Sequence, residues 1–281
     1  MRLAVNTLLW AVDFTPADLP LMRTLKAHGF EGVEIPIFDP HTFERAVIRK
    51  GLDDVGLECI VCTVIPRGLS IAAEDSSVRG KAIQHLRDAI GVAVDMNARI
   101  IAGPLYTPVG YLPGHRRTAD ERKRAIESYQ AVIGDLEAND VTLAIEPLNR
   151  FETYFVNTAD DLAAICDEIN HPRIGASYDT FHSNIEDKDL VRAIRRLGRH
   201  IKYVQTSEND RGTPGSGHVP WAAVLAAFRE IGYDGWLTIE SFAPNLGDFS
   251  SAVCIWRDIE PSTDSIAYDG IEFLKKLIAR A

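Results

Sequence analysis

Residues 142–179 read TLAIEPLNRFETYFVNTADDLAAICDEINHPRIGASYD, and this stretch contains the unit from which the rest of the chain is built. TLAIEPL is a short apolar run suited to a buried strand. Thr158 then stands where a helix N-cap belongs, just ahead of the amphipathic ADDLAAICDEI. IGASYDT, from Ile174, is a second apolar, β-compatible run. Strand, helix and strand in that order make a βαβ unit, whose two strands lie parallel.

The same alternation extends to both ends of the chain. Upstream, the strand candidates are LAVNTLL from Leu3, GVEIPI from Gly32, LECIVCTVI from Leu57 and RIIAGPL from Arg99. Downstream they are IKYVQTS from Ile201 and WLTIESF from Trp236. Helix starts are marked at Thr15 with Pro16, at Thr118 ahead of one long helix ADERKRAIESYQAVIGDLEA, and at Ser262, while Gly29, Gly198 and Gly232 mark helix ends. Eight such pairs at barrel-like spacing predict an α/β fold, a (β/α)₈ TIM barrel forming one domain over residues 1–281. A doubly wound open sheet would want a glycine-rich phosphate cradle at the first βα junction, and NTLLWAVDFTP has none.

With 46% hydrophobic and 25% charged residues, the chain has the composition of a soluble globular enzyme. No apolar run approaches the roughly 20 residues needed to span a bilayer, which argues against a membrane protein. The start, LAVNTLLW after Met1-Arg2, lacks the pattern of a secretory signal, so a cytoplasmic location is expected. A net charge of −10 repels phosphates and excludes nucleic acid as an expected partner. The cysteine pair of CIVC, Cys59 and Cys62, sits in an apolar run with no second pair nearby, and reads as buried thiols rather than a metal or redox site.

Polar residues end the last four strands in turn: Glu146, Asp179, Gln205 and Glu240. At the C-terminal rim of a barrel these positions converge. Like charges crowded together raise one another's pKa, and a divalent cation relieves the conflict. Carboxylates and an amide oxygen are hard donors, which favours Mn²⁺ with Mg²⁺ and Co²⁺ as alternatives. Taken singly, a carboxylate near a strand end is more often a helix cap or a surface ion pair; four successive strands ending in ligand-type residues at one depth point to a site. Glu34, ending the second strand, and Trp10, just after the first, are expected to complete the pocket wall. One short loop beyond the ligands lie Glu152, His182 and Arg211, a set able to hold the hydroxyls and carbonyl of a polyol. His28, His41, His85, His171 and His200 fall on helices, helix ends or far-side loops and are given no role.

With these residues in view, the chain resembles the D-tagatose 3-epimerase and D-allulose (psicose) 3-epimerase family of the xylose-isomerase-like sugar isomerase/epimerase barrels. The motifs that carry the resemblance are GPLY at Gly103, IEPLNRFETYFVNT at Ile145, YDTFHSNIEDKD at Tyr178, SENDRGTPGSGHVPW at Ser207 and TIESF at Thr238. It implies that Glu146, Asp179 and Glu240 bind the metal and that Glu152, His182 and Arg211 contact a ketose. It also implies that Glu146 and Glu240 exchange the C3 proton through a metal-stabilised cis-enediolate, in a homodimer or homotetramer. Where the family's third metal ligand is histidine, this chain has Gln205, whose carbonyl is a harder and weaker donor than imidazole. The same site chemistry also suits an aldose-ketose isomerase, or a lyase or dehydratase acting on a keto-sugar or cyclic polyol. A metal-dependent DNA-repair endonuclease is disfavoured by the acidic charge, and a binding-only barrel would leave the Glu146 and Glu240 pair without purpose.

Overall fold

The computed structural model describes residues 1–244 and 246–280. Eight parallel strands close into one barrel in chain order: β1 (Arg2–Asn6), β2 (Gly32–Pro36), β3 (Glu58–Cys62), β4 (Ile100–Gly103), β5 (Thr142–Ile145), β6 (Ile174–Asp179), β7 (Ile201–Thr206) and β8 (Trp236–Ile239). Closure is made by β8 pairing with β1, with Val5 opposite Ile239. The expected (β/α)₈ barrel is therefore the fold of the chain.

Side chains alternate across a strand, so every second residue enters the barrel. The floor is apolar: Ala4, Ile60, Ala102, Ala144, Tyr203 and Trp236 pack together inside it. Two residues further along, the same parity brings in Asn6 on β1, Cys62 on β3, Glu146 just past β5 and Gln205 on β7, joined by Glu34 on β2 and by Glu240, four residues beyond Trp236 and just past β8, all buried. The opposite parity faces the surrounding helices, where Val5, Val33, Val61, Ile101, Leu143, Ile145 and Val204 belong to the main hydrophobic core. Parity thus sets the chemistry of the rim one layer above a packed floor.

The predicted caps hold. Thr118 Oγ1 accepts from the Glu121 N–H while the Glu121 carboxylate accepts from the Thr118 N–H, and Thr158 Oγ1 accepts from the Asp161 N–H. Gly29 caps the helix Leu19–His28 in the left-handed conformation. The long helix expected from Thr118 is instead two, Ala119–Gln130 and Ile133–Asn139. At the break, Arg87 Nη2 donates to the Ala131 carbonyl at 3.1 Å, a long-range contact that helical periodicity does not reveal. Short additional helices, Thr180–Glu186 and Asp248–Ala252, follow β6 and β8.

At Gly103 the backbone needs glycine. Its φ is +134°, and a Cβ there would lie 2.1 Å from the Thr63 carbonyl oxygen. The Gly103 carbonyl in turn accepts from the Glu146 N–H at 2.9 Å, so this close approach fixes where the first rim carboxylate starts.

Candidate active site

Glu34, Glu146, Asp179 and Glu240 bring four buried carboxylates to the C-terminal rim, with no more than 5% of any of them exposed. Among them lies one buried guanidinium. Arg211 Nη1 is 2.7 Å from Asp179 Oδ2, 3.0 Å from Glu240 Oε2 and 2.8 Å from Ser207 Oγ. The group is stacked between aromatic faces, 4.0 Å from the Phe181 ring centre and 4.9 Å from that of Phe242. Asp179 also caps the following helix, its Oδ1 accepting from the Phe181 N–H at 2.8 Å.

Arg211 is held in place by its loop. Its φ is +68°, a left-handed conformation that a non-glycine residue keeps only when its surroundings enforce it. Enforcement comes from the fully buried Glu208, whose carboxylate accepts from the Gly215 and Val219 N–H groups and from Trp221 Nε1, each at 2.8 Å. Ser241 Oγ donates to the Arg211 carbonyl.

Burial raises Glu146 well above the usual carboxylate range, and the charges of Glu240 and Asp179 push it further. Burial likewise raises Glu240, against the pull of Arg211. Glu34 is pushed up to about 7 by burial, although Asn6, Tyr203 and Gln205 hydrogen-bond to it. Burial opposes the Arg211 cation, but Asp179 and Glu240 outweigh it and raise that pKa. One cation for four buried carboxylates leaves negative charge in excess. The donor chemistry therefore fits a hard divalent ion.

His182 joins the cluster, its Nε2 lying 3.5 Å from Glu146 Oε1 and 3.7 Å from Asp179 Oδ2; Glu146, Asp179 and His182 together are spaced to hold an ion. Its tautomer argues for another use. Nδ1 accepts the backbone N–H of Asn149 at 3.0 Å, and burial lowers the ring's pKa, so the neutral ring carries its proton on Nε2. A protonated nitrogen has no lone pair for an ion, but it can donate to a ligand's oxygen. Arg211 Nη2, 3.1 Å from that same nitrogen, would prefer a lone pair there; the guanidinium tip can shift and the backbone N–H cannot.

Glu146, Glu152, His182, Arg211 and Glu240 share one cavity of about 260 Å³. Asn149 Nδ2 holds the Glu152 carboxylate at 2.7 Å. Asp179 and Gln205 lie buried in the same rim layer, and Glu34 beside Gln205. Three expectations need correction. Glu34, expected in the pocket wall, is fully buried against Asn6 and Gln205 and does not line the cavity. Trp10 does not line this cavity: its indole N–H turns to Asp264 at 2.7 Å, and Leu8 of the same turn faces the opening instead. Gln205, expected to lend its oxygen to the ion, presents its amide nitrogen to Glu240 at 2.9 Å and keeps its oxygen on Ser177 Oγ at 3.2 Å, because a carbonyl facing carboxylates would be repelled. Sequence reasoning missed the apolar wall formed by Leu8, Phe38, Phe242, Phe249 and Val253. It also missed Asn6, which period-two counting from Ala4 would have found.

Fold and rim together place the chain in a known class. It belongs to the xylose isomerase-like TIM barrel family, whose model matches residues 22–277. Within that family it is similar to a probable ketose 3-epimerase of Synechocystis sp., 32% identical over 98% of this chain and 96% of that protein. It is similar also to an L-ribulose 3-epimerase of Methylomonas sp., 27% identical over 96% of each. The crystal structure of a Methylomonas sp. D-allulose 3-epimerase in complex with D-allulose superposes with a TM-score of 0.92 at 26% identity, covering 98% of this chain and 96% of that one.

Proposed function

We propose that this protein is a divalent-metal-dependent epimerase that inverts C3 of a free ketose, with Glu146 and Glu240 as its acid/base pair. The observation that carries the reading is that these two buried, pKa-raised carboxylates, on strands three apart around the barrel, line one cavity together with His182, Arg211 and Glu152. Relatives named as ketose, L-ribulose and D-psicose 3-epimerases support it.

Glu146, Asp179 and Glu240 would hold the ion, Mn²⁺ by preference. When bound, it supplies Lewis-acid polarisation that makes a proton next to a carbonyl easier to remove. The rest falls to side chains. One glutamate takes the C3 proton, the C–H electrons passing into an enediolate; the other returns a proton to the opposite face of C3. The His182 Nε2–H and the Arg211 guanidinium donate to the sugar's oxygens, and Glu152 accepts from a hydroxyl. A carboxylate whose pKa is raised above the ordinary range is a stronger base toward a C–H proton than a solvent-exposed one, and once protonated it can return that proton to carbon.

In D₂O with Mn²⁺ and a panel of free ketoses, deuterium is expected at C3 together with the C3 epimer. Glu146→Gln and Glu240→Gln should each abolish the exchange, and survival of exchange in both variants refutes the assignment. A second reading, aldose-ketose isomerisation, is favoured by one relative, a 2-oxo-tetronate isomerase of Cupriavidus necator, 26% identical over 82% of this chain. Label at C1 or C2 would select it.

A further inference from the structure

Beneath the cavity, two amides and two carboxylates form a closed ring. Asn6 Nδ2 lies 2.9 Å from Glu34 Oε2 and 3.1 Å from Glu240 Oε1. Gln205 Nε2 lies 2.9 Å from the same Glu240 Oε1, and 3.2 and 3.4 Å from the two oxygens of Glu34. A primary amide carries two N–H donors, and each amide here faces the same two carboxylates, so four donors are matched to Glu34 and Glu240. All four residues are buried, and they come from β1, β2, β7 and the end of β8. The orientation of Gln205 is fixed from both sides. Its oxygen takes the Ser177 hydroxyl, and turning the amide over would set that oxygen against two carboxylates and forfeit two charge-assisted hydrogen bonds.

The ring divides the two oxygens of Glu240. Oε1 is taken by Asn6 and Gln205, while Oε2 points to Arg211 and the cavity. A glutamate side chain has three torsions to fix, and a base works only within hydrogen-bond reach of the proton it moves. We infer that Gln205 is a positioning residue: with Asn6 it clamps Glu240 through Oε1 and leaves Oε2 turned toward Arg211 and the cavity, and it lends no ligand to the ion itself. This inference rests on the reading of Glu240 as an acid/base group. Glu34 serves as the anchor that sets the two amides at their spacing.

The test combines Gln205→Met, which keeps the bulk and removes the amide, with Asn6→Ala and the double variant. In the Mn²⁺-loaded protein, kcat for C3 deuterium exchange should fall roughly 10- to 100-fold in Gln205→Met and stay low at saturating Mn²⁺, with KM for the ketose little changed. The double variant should be less impaired than the product of the single effects, because both amides act through one carboxylate. In chelator-treated protein, urea unfolding should show the same coupling: the midpoint of the double variant drops by less than the two single drops together. Recovery of kcat at saturating Mn²⁺ would make Gln205 a ligand and overturn the clamp. So would an unchanged kcat, or additive losses in the metal-free unfolding series. If the unsubstituted protein exchanges no proton on any ketose, the proposed function fails, and the unfolding series alone then decides the clamp.

Discussion

Glu34 offers a sharp quantitative prediction, because its pKa in the fold, about 7, lies well above the ordinary glutamate value of 4.5. Between those two pH values the folded protein holds a proton at Glu34 that the unfolded chain has released. The native state therefore binds more protons, and stability falls as pH rises through the window, flattening above 7. Each pKa unit is worth about 1.36 kcal/mol, which makes the full loss about 3 kcal/mol. The perturbation is Glu34→Gln, which cannot ionise. Urea unfolding of chelator-treated protein from pH 4.5 to pH 8 isolates the effect, since the neighbouring carboxylates titrate in both proteins and largely cancel in the difference. Stability of the variant minus that of the parent should climb by about 3 kcal/mol across the series, whatever constant offset the altered hydrogen bonds add. A difference that stays flat to within about 0.5 kcal/mol would refute the reasoning and place Glu34 in the ordinary carboxylate range.

Arg211→Lys keeps the charge but loses the fork that reaches Asp179, Glu240 and Ser207 together; kcat/KM for C3 exchange should fall roughly 10- to 100-fold. Gly103→Ala drives a methyl into the Thr63 carbonyl at a left-handed φ and should destabilise by more than about 2 kcal/mol in urea unfolding, with proton exchange reduced through the displaced Glu146. Thr158→Ala removes the cap of the helix Ala159–Ile169 and should cost about 1 kcal/mol while leaving KM unchanged. Treatment with a chelator should abolish C3 exchange, and Mn²⁺ should restore it; full exchange in stripped protein would exclude a metal requirement.

The barrel was legible because a buried parallel strand needs only apolar content and a boundary, and TLAIE, IGASYD, IKYVQ and WLTIE each supply both. The rim carboxylates were legible for a related reason: the strand end fixes depth, and period two fixes which residues turn inward. Contacts between distant segments were not. Trp10 turns to Asp264, 254 positions away, and Arg87 meets the Ala131 carbonyl, 44 positions away, and neither pairing leaves a periodic trace. Gln205 is the subtler case. Its place in the rim followed from IKYVQ, but which end of its amide faces the acids depends on Ser177, Glu34 and Glu240 together, three strands read at once.

The apolar wall of the cavity comes in large part from residues 242–253, a segment between β8 and the final helix Thr263–Arg280 that contributes no strand among the described residues. Phe242, Phe249 and Val253 ride on it, whereas Glu146, Asp179 and Gln205 are fixed by the strands themselves. The polar rim and the apolar wall thus come from different parts of the chain. On the proposed function, replacing Phe249 and Val253 with the residues of a relative should alter the preference among ketoses, whereas Phe242, stacked 4.9 Å from the Arg211 guanidinium, belongs to both the wall and the machinery that moves the proton.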